Sequence, residues 1–356
     1  MRVWSVPEPR LEHRALVVSP FPVEMARGNA TTAQRTQHRL ESRGAEVLLV
    51  TPRELHAAIA DFDPHVIHGV HAGHFAHALE REGPIAEDRH PLVLTIGGND
   101  LYEDLDVAAG PRPGGHDDAA WELVVRADAI VTSTHAQHAA LLERHPRGAD
   151  IFLAHKYPEV GHAKIAGLDS RVGGRRPVIG WCGALRHQKR PEWLLPIHRA
   201  LRTTLPELVT LVAGPPPTDP AGIDLENALI AEPGVLRIAP FASGPKGAIG
   251  TLLAQCDLVL NTSRTEGVAN FLLEALHEHV PVLAARTPGN QDWIDTQTWL
   301  FDEIDEAVDQ ARQLLSDEAA RAELGTRGRT WLDEHADPEL EADVLAAAHL
   351  RALLRR

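Results

Sequence analysis

The sequence predicts an α/β protein built from two parallel-sheet domains. Its 356 residues are too many for one ordinary hydrophobic core and suit two α/β domains. Short apolar runs rich in β-branched residues alternate with helical patterns, which is the order typical of parallel sheets. A polar, glycine-containing segment without periodicity, residues 167–176, divides this alternation into two series.

The first series begins with a buried strand predicted over residues 15–19. A loop follows at residues 27–31, and a helical pattern then runs over residues 32–43 and ends at Gly44. The other strands of this series are predicted at residues 46–50, 65–68, 91–95 and 129–133. A glycine-rich loop at residues 110–115 precedes a predicted helix at residues 118–126.

The second series has strands predicted at residues 177–182, 208–213, 235–238, 258–261 and 280–284. A long amphipathic helical stretch rich in alanine and leucine closes the chain. We therefore predict an N-terminal domain over residues 1–166, a linker over 167–176 and a C-terminal domain over 177–335. The terminal stretch, residues 336–356, is a candidate to cross back to the N-terminal domain.

The charge and composition of the chain indicate which kinds of partner and compartment to expect. A net charge of −15 argues against nucleic acid or an anionic membrane surface, since each requires a basic face. Cys182 and Cys256 lie far apart in apolar segments and are predicted to be reduced thiols. The first residues resemble no signal peptide, and no apolar run approaches the length of a membrane span. We expect a cytoplasmic protein with small-molecule partners.

The most informative segment follows the predicted strand at residues 258–261. Glu274 lies within an apolar helical run, and no lysine or arginine stands four residues to either side. A buried carboxylate needs hydrogen-bond donors, which sugar hydroxyl groups would supply. Glu266, in the preceding loop, would accept hydrogen bonds from a hexose. The alternative is a solvated Glu266 and a Glu274 paired with a distant arginine.

The loop before this helix is suited to a phosphate. Gly267 allows close backbone approach, and the N–H groups of Val268, Ala269 and Asn270 are predicted to open the helix. The positive end of a helix favours an anion. This segment therefore predicts a diphosphate site.

A second block follows the first strand of the C-terminal domain. Such a turn is where a Rossmann-like fold binds phosphate, and this one contains Gly183, Arg186 and Lys189. The two cations would neutralise a diphosphate and stabilise charge on a leaving nucleotide. A solvated basic loop is the alternative.

Three loops after strands of the N-terminal domain contain candidate acceptor residues. Gly28 permits close approach and Asn29 offers a donor and an acceptor, although a simple helix cap explains them equally well. His71, just past a strand, is placed to bond a sugar hydroxyl or a phosphate. Gly98 lies in a tight turn, and Asp100 is an acceptor ligand or a helix cap.

Histidines recur every third residue from position 65 to position 77. The segment passes from strand to loop to helix, so these side chains diverge. Only His74 and His77 can share a helical face. We therefore predict no metal site.

The spacing of Glu266 and Glu274, ahead of an apolar strand and the sequence Pro288-Gly-Asn290, resembles the donor motif of family 4 retaining glycosyltransferases. The resemblance implies the GT-B architecture of two Rossmann-like domains facing a cleft. It implies a hexose-type sugar moved from a nucleotide-diphosphate sugar, most simply a UDP-sugar, without metal or cofactor. In that family the second glutamate binds the ribose and the first lies by the transferred sugar.

The sequences of residues 28–33, 97–100 and 261–263 narrow the resemblance to glycosyltransferase-1-domain-containing proteins and bacterial selenosugar synthases. The chain departs from the common pattern with Gly97 where many members have histidine, and with Ala184 where many have arginine. The catalytic candidates are Glu266, Arg186, Lys189 and His71. The alternatives are transfer to selenophosphate, a nucleotide-sugar 2-epimerase, and a donor-binding module without activity.

Overall fold

The computed structural model describes residues 12–22, 27–85, 90–98, 101, 117–145, 150–238, 247–294 and 299–355. Contacts divide the chain into two compact units. The first comprises Met1–Val23, Thr32–Tyr157 and Ala336–Arg356, and the second comprises Glu24–Thr31 and Pro158–His335. The end of the chain therefore belongs to the first unit.

Each unit contains a six-stranded sheet whose strand pairs are parallel. The first has the order β2-β1-β3-β4-β5-β6 and the second the order β12-β11-β10-β7-β8-β9. The strands are β1 (Arg14–Val18), β2 (Glu46–Val50), β3 (Val66–Val70), β4 (Leu92–Thr95), β5 (Ala129–Thr132), β6 (Ile151–Leu153), β7 (Val178–Cys182), β8 (Val209–Ala213), β9 (Val235–Ile238), β10 (Leu258–Asn261), β11 (Val282–Ala285) and β12 (Trp299–Phe301).

Helices connect and cover these strands. They are α1 (Gly28–Ser42), α2 (Leu55–Phe62), α3 (Ala72–Glu82), α4 (Asp117–Arg126), α5 (His135–Arg144), α6 (Leu168–Val172), α7 (Leu194–Arg202), α8 (Pro220–Ala231), α9 (Ile249–Leu253), α10 (Asn270–His277), α11 (Pro288–Ile294), α12 (Ile304–Ser316), α13 (Glu318–His335) and α14 (Pro338–Leu354).

The prediction of parallel α/β sheets is confirmed, and ten strands lie where the apolar runs predict them. The two strands that were not predicted, β6 and β12, have three residues each and lie at sheet edges. A run of three residues is too short to show a period. The predicted loop at residues 110–115 lies outside the described residues.

Two local predictions are wrong. The helix expected at residue 32 begins at Gly28, because the Thr31 N–H already bonds to the Arg27 carbonyl at 3.1 Å. The segment predicted as an aperiodic linker contains helix α6. Gly167 and Gly173, both with positive φ, bound this single turn at its two ends.

The apolar side chains of the central strands of the first sheet point alternately to its two faces, so the hydrophobic core of this unit has two parts, one on each face. Leu16 of β1 and Ile67 of β3 pack in one apolar cluster, whereas Val17 and Val66 pack in another. Successive side chains of a strand point to opposite faces, so both faces of this sheet need cover. Helix α14 supplies apolar residues to the second cluster.

Buried ion pairs hold α14 to α1. Glu341 of α14 is 4% exposed and accepts from Arg35 Nε at 2.8 Å and from Arg39 Nε at 3.1 Å. Arg43, one turn further along α1, bonds to Glu339 and Asp343. Since losing one partner would strand a buried charge, these pairs fix the register of α14 on the first unit.

A chain of buried histidines runs through the first unit. His13 Nε2 lies 3.0 Å from His349 Nδ1, and His349 Nε2 lies 2.9 Å from His68 Nδ1. His68 Nε2 ends the chain on Thr95 Oγ1 at 2.7 Å. Neutral rings satisfy these contacts, because each can donate through one nitrogen and accept through the other. Burial lowers the pKa of His13 to about 4 and that of His68 to about 3, and burial with the two neighbouring rings also lowers the pKa of His349.

In both sheets the strand order reverses beside the first strand of the unit. In the first sheet β1 has β2 on one side and β3 on the other. In the second sheet β7 has β8 on one side and β10 on the other. The loops that leave the carboxyl ends of such a pair diverge and open a crevice, which is where open α/β sheets bind ligands.

The histidine chain predicts a loss of stability in mild acid. Unfolded histidine has a pKa near 6.5 whereas the folded rings resist protonation, so the unfolded state binds more protons between about pH 6.5 and about pH 4. We therefore expect the free energy of unfolding to fall by roughly 1–2 kcal/mol per histidine between about pH 6.5 and about pH 5. Thermal unfolding across this range measures the effect.

The matched pair of variants is His13→Gln and His56→Gln. Glutamine at position 13 keeps a polar group but does not titrate, so the melting temperature should depend less steeply on pH. His56 is exposed and lies outside the histidine chain, so its replacement should leave the chain and the loss of stability that it causes in place. Equal slopes for the wild type and His13→Gln would contradict the assignment.

Candidate active site

Two loops meet at the point where the strand order of the second sheet reverses. One follows β7 and contains Gly183, Arg186 and Lys189, and the other follows β10 and contains Glu266 and Gly267. The second loop passes closely over the first. The predicted donor residues of both loops therefore lie at the same edge of one sheet.

Hydrogen bonds join these two loops. Trp181 Nε1 donates to Thr262 Oγ1 at 3.1 Å, and that hydroxyl donates to the Lys189 carbonyl at 2.7 Å. The Arg264 N–H donates to the Gln188 carbonyl at 2.8 Å. Thr262 is fully buried, so it acts as an internal tie between the loops.

Glu266 is buried in this loop pair, so the alternative of a solvated residue is wrong. It is 5% exposed, and Oε1 contacts Lys189 Nζ, Ser263 Oγ at 2.6 Å and Asn261 Nδ2 at 3.4 Å. Burial acts to raise the pKa of Glu266, but the charge of Lys189 and these hydrogen bonds outweigh it and hold the pKa below its usual value. Oε2 takes part in none of these contacts.

Glu274 lies within α10 and is 3% exposed, as its apolar sequence neighbours predict. Its carboxylate lies close enough to Cys182, at the end of β7, to affect that thiol. Burial first, and the charge of Glu274 second, raise the pKa of Cys182 to about 12. Glu274 therefore lies near the strand end from which the first loop departs. Cys182 and Cys256 are both free thiols.

Helix α10 begins later than predicted. Its first helical residue is Asn270, and Ala269, with extended backbone angles, is the capping position. The Leu272 N–H bonds back to the Ala269 carbonyl at 3.0 Å. The N–H groups of Val268 and Ala269 thus precede the helix, because the backbone stays extended through residue 269.

The sequence Pro288-Gly-Asn290 supports the second loop. A side chain at Gly289 would clash with the carbonyl oxygens of Glu266 and Gly267, so only glycine permits α11 to approach this closely. Asn290 is 2% exposed and donates to the Ala285 carbonyl at 2.8 Å and to Asn261 Oδ1 at 3.3 Å. Asn261 in turn contacts Glu266, so a polar network extends from α11 to the buried carboxylate.

The positive charges near this edge include one that sequence reasoning missed. Arg186 is exposed, and Arg27 is half-buried and has its pKa lowered by burial and by the charge of Arg186. Asn270 Nδ2 donates to the Gly28 carbonyl at 3.0 Å. Contacts group the start of α1, including Gly28 and Asn29, with the second unit. A lone arginine in a polar loop gives no sequence signal.

Asn261, Ser263 and Asn290 were not among the predicted site residues. Each is buried; Asn261 and Ser263 contact Glu266, and Asn290 contacts Asn261. Asparagine or serine directly after an apolar strand is a usable signal, because a polar side chain at a buried strand end needs partners.

In the first unit, His71 lies where that sheet reverses its strand order. It follows β3, is 5% exposed, and its N–H bonds to the Thr95 carbonyl at 2.9 Å. Its φ of 74° is unusual for a residue with a side chain. The His74 N–H donates to His71 Nδ1 at 3.3 Å, so Nδ1 is unprotonated and the neutral ring has its proton on Nε2.

The remaining acceptor candidates follow β4. Gly98 is half-buried and helical, not in the tight turn that the sequence predicts, and it lies two residues after Ile96, whose N–H bonds to the Val131 carbonyl of β5 at 2.9 Å. Asp100 lies outside the described residues. His71 and Gly98 therefore follow neighbouring strands at one edge of the first sheet.

The described part of the chain contains no cluster of metal-binding side chains and no helix that could span a membrane. Among these residues, no group of three or more His, Cys, Asp or Glu side chains is arranged to hold a metal ion. The helices within the same ranges include none with the length and apolar character needed to cross a membrane.

Comparison with known proteins gives a family match in the second unit. Residues 176–317 match the family model described as "Glycosyl transferases group 1". A curated relative, glycosyltransferase 1 domain-containing protein 1 of Xenopus tropicalis, is 23% identical over 332 residues, which cover 89% of this chain and 92% of that protein.

Solved structures share the fold. Sucrose-phosphate synthase from Thermosynechococcus elongatus has a TM-score of 0.70 at 13% identity, with 93% of this chain and 96% of that chain covered. The glycosyltransferase WaaG, involved in lipopolysaccharide biosynthesis, has a TM-score of 0.69 at 14% identity, with 94% of this chain and 99% of that chain covered. Anabaena HepE in complex with UDP-glucose has a TM-score of 0.65 at 16% identity, also covering 94% and 99%.

The close approach at Gly289 predicts a specific cost for a methyl group. In Gly289→Ala the new carbon meets two backbone carbonyls that cannot move aside without shifting the loop, so we expect a loss of about 1–3 kcal/mol. Gly28→Ala is the matched control, because it also lies in the first turn of a helix but has its nearest atom at 3.5 Å. The melting temperature should fall only for Gly289→Ala, and equal values would contradict the packing.

Proposed function

From the premise that this chain is a glycosyltransferase with the GT-B fold and a group 1 domain, we propose that it moves a hexose-type sugar from a UDP-sugar to a small acceptor. We further propose that the anomeric configuration is retained and that no metal is required. The observation that carries the proposal is the pair of buried carboxylates, Glu266 and Glu274, at the strand-order reversal of the second sheet.

The donor diphosphate would lie between the two loops of the second unit. Lys189 and Arg186 approach from the loop after β7, and the first N–H groups of α10 approach from the other side. Cations and helix-start amides stabilise the charge that develops on the leaving diphosphate. These groups would perform the task that a divalent metal performs in other transferases, which supports a metal-independent reaction.

The two carboxylates would bind the neutral parts of the donor. Glu266 engages protein groups through Oε1 only, so Oε2 is suited to accept from hydroxyls of the hexose. Glu274, buried beside the end of β7, would accept from ribose hydroxyls, as the family resemblance implies. Buried carboxylates bind hydroxyls well because the hydrogen bonds are charge-assisted.

Uridine is supported by the named ligands of structural neighbours. HepE structures contain UDP-glucose or UDP with glucose, a TarM structure contains UDP, and MnaA was solved with UDP. Retention is supported by the resemblance of the Glu266 and Glu274 spacing to the family 4 motif. We assign no nucleophile. The nucleotide-sugar is a substrate, and no resident cofactor is proposed.

The acceptor would contact the first unit, at the edge that contains His71 and Gly98. The capping contact to His74 fixes the proton of neutral His71 on Nε2, so this ring would donate to an acceptor oxygen and would not remove a proton through Nδ1. Gly28 and Asn29, at the start of α1, are further acceptor candidates, and Asp100 remains a prediction from sequence.

The donor site is tested by Glu274→Ala with Glu278→Ala as its control. Glu278 lies one turn further along and contacts His277 at 2.9 Å, away from the loop pair. We expect UDP to raise the melting temperature of the wild type and of Glu278→Ala, because a ligand that binds the folded state stabilises it. Glu274→Ala should lose most of this rise. Calorimetry with and without a chelator gives the affinities and should show no metal dependence.

Unchanged UDP affinity in Glu274→Ala would contradict the donor site. Incubation with a UDP-sugar panel then separates the activities. Sugar transfer that needs an added acceptor supports the proposal. Epimerised sugar without an acceptor, or binding without turnover across the panel, would support the alternatives instead.

A further inference from the structure

Lys189 and Glu266 each have a task in the proposed reaction that competes with their contact. Lys189 Nζ forms an ion pair with Glu266 Oε1, joining residues 77 positions apart in the sequence. A lysine whose charge is neutralised by a carboxylate attracts a diphosphate less strongly, and a carboxylate neutralised by lysine accepts weakly from a sugar. Both tasks are strengthened if the pair separates when the donor binds.

We propose that the donor diphosphate takes Lys189 from Glu266, so that Glu266 becomes a full acceptor for the sugar only after the phosphates are bound. This inference rests on the proposed donor site. Glu266 is then a specificity-determining residue. The diphosphate, which all UDP-sugars share, removes Lys189 and leaves the Glu266 carboxylate without its cation. A sugar with well-placed hydroxyls donates hydrogen bonds to this carboxylate and so compensates its charge. A sugar without such hydroxyls provides no compensation.

The surroundings favour movement of the lysine side chain. Lys189 has a long side chain that is 20% exposed, while its backbone is held by the Thr262 hydroxyl. Glu266 is held from several sides, by Ser263, by Asn261 and by the close packing of Gly289 on its carbonyl. The ammonium group can therefore turn toward a phosphate while the carboxylate stays in place.

Other charges of the described residues do not substitute for Lys189 at this carboxylate. Arg264, on the same loop as Glu266, is paired with Glu192 at 2.9 Å. Arg186 is exposed, and burial together with the charge of Arg186 lowers the pKa of Arg27. Burial together with the charge of Glu274 raises the pKa of Cys182. The immediate neighbours of Glu266 other than Lys189 are the neutral side chains of Asn261 and Ser263.

A buried carboxylate that loses its cation must be compensated, since an unpaired buried charge is costly. With UDP alone, which has no sugar, the compensation is a proton. UDP binding should therefore be accompanied by proton uptake at Glu266. A UDP-sugar whose hydroxyls bond to Glu266 should cause less uptake than UDP.

The experiment is calorimetry of UDP binding in two buffers that differ in their heat of ionisation, at about pH 6 and about pH 7.5. The difference between buffers gives the protons taken up per UDP. We expect more uptake for the wild type than for Glu266→Gln, and most at the lower pH. The UDP phosphate itself titrates in this range, but it contributes equally to both proteins.

Two affinities complete the test. Glu266→Gln should bind UDP roughly threefold to tenfold more tightly than the wild type, because its lysine no longer has to leave a carboxylate. Lys189→Met should bind UDP more weakly and lose the extra proton uptake, because its Glu266 has no cation to exchange.

The outcomes separate this inference from the donor site itself. UDP binding with equal proton uptake in the wild type and Glu266→Gln would overturn the exchange and leave the donor site standing. An unchanged or weaker affinity in Glu266→Gln would also overturn it. Failure of UDP to bind the wild type would contradict the donor site and this inference together.

Discussion

The ion pair between Lys189 and Glu266 is the contact on which the rest of the site depends. It joins the loop after β7 to the loop after β10, at the place where the strand order of the second sheet reverses. A carboxylate that is 5% exposed is tolerated there because a cation and two neutral donors surround it. The tie through Thr262 and the glycine contact of α11 then fix the backbone around the pair.

This arrangement explains why glutamate residues of similar burial have different surroundings. Glu266 lies in a loop, where Lys189 of the loop after β7, Asn261 at the end of β10 and Ser263 of its own loop reach it. Glu274 lies inside a helix with apolar residues directly on both sides of it, and its charge adds to the effect of burial in raising the pKa of Cys182. One site therefore combines a carboxylate paired with a lysine and a carboxylate held within a helix. These two carboxylates suit a ligand with a charged group in its middle and hydroxyl groups at both ends, as in a nucleotide-sugar.

Much of this could be predicted from the sequence, because parallel sheets buried on both faces produce apolar runs that are easily recognised. Ten strands were predicted in this way and are confirmed. The relationship to glycosyltransferases and the GT-B fold were implied by a motif resemblance, that of the Glu266 and Glu274 spacing, and the comparisons confirm both. The two short edge strands and the start of α10 at Asn270 were not predicted. Three residues show no period, and an extended Ala269 cannot be distinguished from a helical one by its sequence.

The connections within the site could not be predicted, because they join distant residues. Nothing in the sequence indicates that Lys189 pairs with Glu266, or that Arg27 lies near Arg186. The strained backbone of His71 is equally invisible, since a positive φ in a histidine leaves no compositional trace. The motif Pro288-Gly-Asn290 belongs to the family resemblance, but the sequence does not reveal its physical role. That role is the close packing of Gly289 on the loop that contains Glu266.

A crystal structure of the protein with UDP bound tests the donor site directly. We expect the diphosphate against the first turn of α10 and within hydrogen-bonding distance of Lys189, with Glu274 on the ribose. A nucleotide bound elsewhere, or bound here with Glu274 turned away from it, would contradict the central claim that the two buried carboxylates form a sugar-nucleotide site.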